Sequence, residues 1–184
     1  LGLGEISQAF VQDGAAVVVG TSSNGWAAQK IVYTGSSFVV DSSNRITLGA
    51  SQINASPSAA GGFCFLVKEA GKAVSTGYVD KNLTLKWKNT TQAEADIADV
   101  EAVDVEATDS RCYSEFYTYK TNKATSIVLV NDIATGKARQ SVTTPDFATN
   151  DLAVKDDIVV QAGITGPYTT EDGTAATLTR HKVD

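Results

Sequence analysis

Side chains that usually carry catalysis are scarce in this chain. It holds one histidine (His181), two cysteines (Cys64 and Cys112), no methionine and three prolines among 184 residues. One imidazole with basic neighbours, Arg180 and Lys182, makes a poor general base for a serine or cysteine nucleophile. Two cysteines and one distant histidine do not make a zinc site. No glycine-rich phosphate loop is present, and no carboxylate pair stands out by its spacing. The sequence therefore reads as a protein that is not an enzyme and has no metal and no cofactor.

Clustered positive charge is missing too. Lys and Arg number 15 against 21 Asp and Glu, for a formal charge of −6 and a pI near 4.7. Phosphate backbones are bound by clustered cations, so nucleic acid is excluded as a partner. No apolar run approaches the 18 or so residues of a membrane-spanning helix, so no membrane span is expected. Hydrophobic residues make up 42% and charged residues 20%. That is a globular balance, and the length suits one domain over residues 1–184.

What is present points outside the cell. The sequence starts at Leu1, as expected if a signal peptide has been removed. Cys64 lies in Phe63-Cys64-Phe65-Leu66-Val67 and Cys112 in Cys112-Tyr113-Ser114-Glu115-Phe116, two strand-like runs. In an oxidising compartment they read as one disulfide, within a subunit or between neighbouring subunits. Three Asn-x-Ser/Thr triplets, at Asn54, Asn82 and Asn89, are candidate glycosylation sites. Asn89, beside an expected strand end, is the favoured one.

Strand signals dominate the pattern. Leu83, Leu85 and Trp87 alternate with Thr84, Lys86 and Lys88. Tyr113, Tyr117 and Tyr119 share one strand face, and Cys112, Ser114, Phe116 and Thr118 share the other. Turn pairs such as Asp13-Gly14, Asn24-Gly25, Thr135-Gly136, Gly166-Pro167 and Asp172-Gly173 separate about a dozen such runs. This spacing predicts a mostly β fold: an antiparallel β-sandwich or barrel-like domain of many short strands, with at most one or two short helices. Thr91-Gln92-Ala93-Glu94 has capping-box form and predicts a short helix from Gln92 to Val100. Ser51–Gly62, rich in Ser, Ala, Pro and Gly, predicts a long exposed loop. Seven carboxylates between Glu94 and Asp109, with no cation among them, predict a solvated face or a contact with the lysines of a neighbouring subunit.

The segment Phe10-Val11-Gln12-Asp13-Gly14-Ala15-Ala16-Val17-Val18-Val19-Gly20-Thr21-Ser22-Ser23 is similar to the amino-terminal signature of archaeal surface-layer glycoproteins, in which an Asp-Gly turn precedes a β-branched run. The chain's length is closer to that of small envelope subunits, such as archaeal sheath or donor-strand filament proteins. The resemblance implies a cell-surface structural protein with glycosylatable asparagines. Combined with the export features, it gives a secreted subunit whose partner is itself. Strand-edge pairing would build a sheath, surface layer or filament. The weakly charged runs Leu3–Val11 and Thr174–Thr179 are the expected pairing strands. A carbohydrate-binding or adhesion module using Trp26, Trp87, Tyr113, Tyr117 and Tyr119 is the alternative, and a viral capsid subunit is a third.

Overall fold

A computed structural model describes residues 3–12, 14–49, 53–121, 123–165 and 176–183. The expected turns at Gly166-Pro167 and Asp172-Gly173, with Thr174 and Ala175, lie outside the described residues. Within them the chain is all β, and its strands fall into four antiparallel sheets in chain order. The first sheet holds β1 (Ile6–Gln12), β2 (Ala15–Ser22), β3 (Gly25–Tyr33) and β4 (Phe38–Gly49). The second holds β5 (Ile53–Pro57), β6 (Phe63–Glu69), β7 (Ala73–Val79) and β8 (Leu85–Gln92). The third holds β9 (Asp99–Ala107), β10 (Arg111–Lys120), β11 (Lys123–Asp132) and β12 (Ala138–Pro145). The fourth has three strands: β13 (Phe147–Lys155), β14 (Ile158–Thr165) and β15 (Ala176–Lys182). Each sheet is an up-and-down meander, so every pairing is between chain neighbours.

Two-residue periodicity explains how the sheets stack. On β6, Phe63, Phe65 and Val67 face the first sheet, with Val17, Val19 and Ala28 across the gap. The alternate residues Cys64 and Leu66 face the third sheet, meeting Val100, Val105 and Phe116. On β10, Cys112 and Phe116 face back to the second sheet, while Tyr113 points forward to Leu152 and Val159 of the fourth. Three apolar layers therefore separate four sheets, packed face to face as in a sandwich. The first strands also converge, β1 on β5, β5 on β9 and β9 on β13. Such radial succession of meanders is the building plan of β-propellers.

The expected mostly β, antiparallel architecture of many short strands is the one observed. Two local expectations are corrected. No helix forms between Gln92 and Val100: β8 runs to Gln92, β9 starts at Asp99, and a turn closed by Ile97 N–H on the Glu94 carbonyl joins them. Six residues between strands are too few to offset helix nucleation, and Ala93 and Ile97 instead pack on the layer between the second and third sheets. Ser51–Gly62 is not a long loop either, since Ile53–Pro57 forms β5 with Ile53 and Ala55 buried.

Cys64 and Cys112 form a disulfide between β6 and β10, with Cα atoms 5.7 Å apart and both residues fully buried. The bond lies within one chain and ties the second sheet to the third. In the chain-entropy treatment a loop of this size stabilises the fold by about 4 kcal/mol. Replacing both residues, Cys64→Ala with Cys112→Ala, lowers the unfolding free energy by about that amount. Urea denaturation followed by tryptophan fluorescence measures the loss, and an unchanged midpoint would contradict it.

Candidate functional site

The sharpest concentration of unusual chemistry lies where the third and fourth sheets meet. Glu115 on β10 is fully buried. Alternation forces this: Tyr113 and Glu115 share the forward face, and that face is covered by β13 and β14. Gln161 Nε2 and Ser126 Oγ both donate to Glu115 Oε1, the latter at 3.3 Å. Gln161 Nε2 also lies 2.5 Å from Ser126 Oγ. Thr144 Oγ1 donates to Gln161 Oε1 at 2.9 Å and lies 3.2 Å from His181 Nε2. A polar thread thus runs from a buried carboxyl on β10 to the histidine of β15. Among the described residues Glu115 Oε2 has no hydrogen-bond partner.

Directly across the ladder from Glu115 stands Asp104 of β9. Two carboxyls opposite each other are destabilising when both are charged. Burial pushes the Asp104 carboxyl up to about 6, against the hydrogen bond it accepts from Val105 N–H, with the nearby Glu106 and Asp151 adding to the rise. Burial pushes Glu115 up to about 7, against its bonds from polar neighbours, and Asp104 adds to the rise. Holding a proton here relieves both the desolvation and the like-charge repulsion. The pair amounts to two carboxylic acids held close to neutrality by burial and by each other. Full burial of Glu115 keeps it from solvent.

Along the convergent first strands, side chains close the sheet edges. Gln8 Oε1 accepts from Ala55 N–H. Asn54 Nδ2 donates to the Val103 carbonyl at 2.8 Å, and Ser58 Oγ to the Thr108 carbonyl at 2.7 Å. Leu152 N–H reaches Asp104 Oδ2 at 3.4 Å. Asn54 is thus committed to a seam between sheets. Asn89 is exposed on β8 and donates to the Gly136 carbonyl at 2.7 Å. Asn82 sits exposed in the turn Asp80–Thr84.

Three of the seven carboxylates of the acidic run form ion pairs within the chain. Lys68 bridges Asp99 and Glu101 at 3.3 and 2.7 Å, and Lys120 pairs with Asp96. Lys88 and Lys86 turn to Glu69 and Asp80. The five aromatics of the binding-module reading are not gathered on one surface. Tyr113 is fully buried, Trp26 packs on the first apolar layer, and Trp87 donates to the Ile133 carbonyl at 2.7 Å. The Trp87 ring covers Gly136, whose φ of +69° and lack of a side chain allow the approach. Among the described residues no cluster of His, Cys, Asp or Glu could hold a metal ion, and no helix is long and apolar enough to cross a membrane.

No family model matches this sequence, and no curated protein matches it. Among solved structures, the chain is similar to the GH43 endo-arabinanase from Bacillus licheniformis, with a TM-score of 0.46 and 10% identity over 95% of this chain and 71% of that one. That neighbour is an enzyme, and it overturns the expectation that this chain is not one. The expectation leaned on the scarcity of histidine and cysteine, and that scarcity does not exclude acid–base work by carboxyls. At this TM-score the likeness assigns no activity, substrate or residue role to the chain.

The raised carboxyls predict an inverted acid response. Each binds a proton more tightly folded than unfolded, so the folded state holds more protons between the unfolded values of 4.5 and 3.8 and the folded values near 7 and 6. Stability therefore rises as pH falls from 8 to 5. Glu115→Gln keeps an acceptor for Gln161 and Ser126 and removes the titration. Its melting temperature is expected to exceed that of the parent at pH 8 and to show a flatter pH slope, both read by calorimetry. A parental slope in the variant would contradict the assignment.

Proposed function

We propose that this protein is a secreted structural subunit that assembles with its own copies through open sheet edges into a cell-envelope sheath, surface layer or filament. One observation carries the reading. Among the described residues three sheets have four strands and the fourth has three, with β15 at its margin. Among the described residues no strand pairs along the other side of β15. A strand at the margin of a sheet can serve as the template for a further strand. Exposure alternates along the strand, and Leu178 is 74% exposed. A strand from another copy would complete the ladder, as in β-strand addition generally.

The compartment follows the same logic. A buried disulfide fits an oxidising environment, which supports export and a place at the cell surface. Because that disulfide joins sheets of one chain, assembly on this reading needs no intermolecular sulfur bond and survives a thiol reductant. A glycan, where attached, suits Asn82 best: unlike those of Asn54 and Asn89, its side chain serves no hydrogen bond within the described residues.

Electron microscopy and sedimentation of the purified chain test the reading, with regular large particles expected and a monodisperse monomer at every concentration counting against it. Proline substitutions localise the contact. Successive N–H groups of a strand point to opposite sides in the sheet plane. Of Leu178→Pro and Thr179→Pro, one therefore removes a ladder bond to β14 and the other touches only the open margin. The marginal one is expected to stop assembly while leaving the far-ultraviolet circular dichroism unchanged.

A further inference from the structure

Register sets two pairs of polar side chains against each other where the third and fourth sheets meet. On the third sheet Ser126 and Thr144 stand opposite each other on β11 and β12. On the fourth, Gln161 and Thr179 stand opposite each other on β14 and β15. His181 lies two residues beyond Thr179, on the same face of β15. Gln161 is fully buried, while Thr144 and His181 are half-buried.

The Gln161 amide is held at both ends. Its Oε1 accepts from Thr144 Oγ1 at 2.9 Å and from Thr179 Oγ1 at 3.3 Å. Its Nε2 donates to Glu115 Oε1 and to Ser126 Oγ. Thr144 Oγ1 also lies 3.2 Å from His181 Nε2. These are the parts of an acyl transfer: a hydroxyl nucleophile, an imidazole within reach of its proton, a carbonyl oxygen with a second hydroxyl donor, and a carboxyl on the nitrogen that would leave. Burial pushes that carboxyl up to about 7, so near neutrality it has a proton to give.

We propose that the Thr144 hydroxyl and the Gln161 side-chain amide join in an intramolecular ester that ties β12 to β14 and releases ammonia. His181 Nε2, in the tautomer that leaves this nitrogen unprotonated, takes the Thr144 hydroxyl proton. Thr144 Oγ1 bonds to Gln161 Cδ, and the carbonyl electron pair moves onto Oε1, where the Thr179 hydroxyl donates to it. The pair returns, the Cδ–Nε2 bond breaks, and its electrons stay on nitrogen. Glu115 supplies the third proton of the departing ammonia. The imidazolium then loses its proton to solvent and Glu115 takes one up, so the protons balance. Nothing is oxidised or reduced, and no co-reactant is needed. Holding hydroxyl and amide in contact supplies what two separate molecules would have to gain by collision. Full burial of Gln161 keeps water from the ester. The bond does for the third and fourth sheets what Cys64–Cys112 does for the second and third. It lies within one chain, so it stands or falls independently of the assembly reading.

Mass spectrometry of the purified chain tests it. The intact mass is expected to fall about 17 Da below that of the disulfide-bonded sequence, the mass of one ammonia lost in acyl transfer. A tryptic digest is expected to hold fragments 140–155 and 156–180 together until hydroxylamine cleaves the ester. Thr144→Ser is expected to keep the bond and Thr144→Val to abolish it. His181→Ala is expected to slow its formation after refolding by about a hundredfold, the usual loss for a general base. Thr144→Val also serves as the background for the calorimetry of Glu115→Gln, which would otherwise lose the bond together with the titration. An unshifted parent overturns the proposal, and so does a shift that persists in Thr144→Val. A shift that leaves the two fragments separate, as a succinimide at an asparagine would, overturns it too. The parent's digest decides even where a variant fails to fold.

Discussion

A sheet in the middle of a stack must be apolar on both faces, and this constraint organises the molecule. β6 meets it with Phe63, Phe65 and Val67 on one side and Cys64 and Leu66 on the other, all without exposure. The run Phe63-Cys64-Phe65-Leu66-Val67 is continuous rather than alternating because it serves two layers at once. The disulfide grows from the same constraint. Cys64 points forward from β6 and Cys112 backward from β10, so the two sulfurs meet in the layer that their sheets share. A covalent tie there fixes the register of the second and third sheets, and the other layers are built outward from it.

The same constraint makes polar groups in the layers conspicuous. Glu115 occupies a position that alternation assigns to the layer between the third and fourth sheets. Its neighbours are those a buried carboxyl needs: an amide from Gln161, a hydroxyl from Ser126 and, through Gln161, the hydroxyl of Thr144. A charged carboxylate with one unpartnered oxygen would cost several kcal/mol in such a place. Protonation is the cheaper solution, and the like charge of Asp104 across the ladder pushes the same way. Carboxyls that hold their protons near neutrality give this interface a chemistry that no other layer of the stack has.

Much of the fold was legible in the sequence because most strands obey two-residue alternation and most turns carry glycine. The Tyr113 face and the Cys112 face of β10 were separated correctly by alternation alone. What stayed hidden has physical causes. β5 (Ile53-Asn54-Ala55-Ser56-Pro57) is held by side chains reaching sideways to the next sheet, with Asn54 on the Val103 carbonyl and Ser56 on Glu106, so it lacks an apolar signature. β13 contains a register shift between Thr149 and Asp151, which breaks the alternation a reader looks for. Its turn to β14 is Asp156-Asp157, both at positive φ, where glycine or asparagine is the usual signal. The carboxyl pair was illegible for another reason. Asp104 and Glu115 are eleven positions apart, and only the β9–β10 ladder, with its own bulge, brings them opposite each other.

Where the molecule leaves its polar backbone open also follows from convergence. Neighbouring first strands approach closely enough for side chains to bridge them, as Gln8, Asn54, Ser58 and Asp104 do, so the inner edges are closed. The outer strands splay apart, and closure there depends on what the next sheet sends back. β8 receives the turn after β11, with Trp87 on the Ile133 carbonyl and Asn89 on Gly136. β12 receives the β14 and β15 side chains Gln161 and His181 at Thr144. β15 is the last of the described strands. The exposed Leu178 of β15 and the exposed Val11, Tyr33 and Phe38 lie on the first and last sheets of the described stack. Filling either end with a further sheet would extend the pattern without changing it, which is the property that a repeating assembly requires.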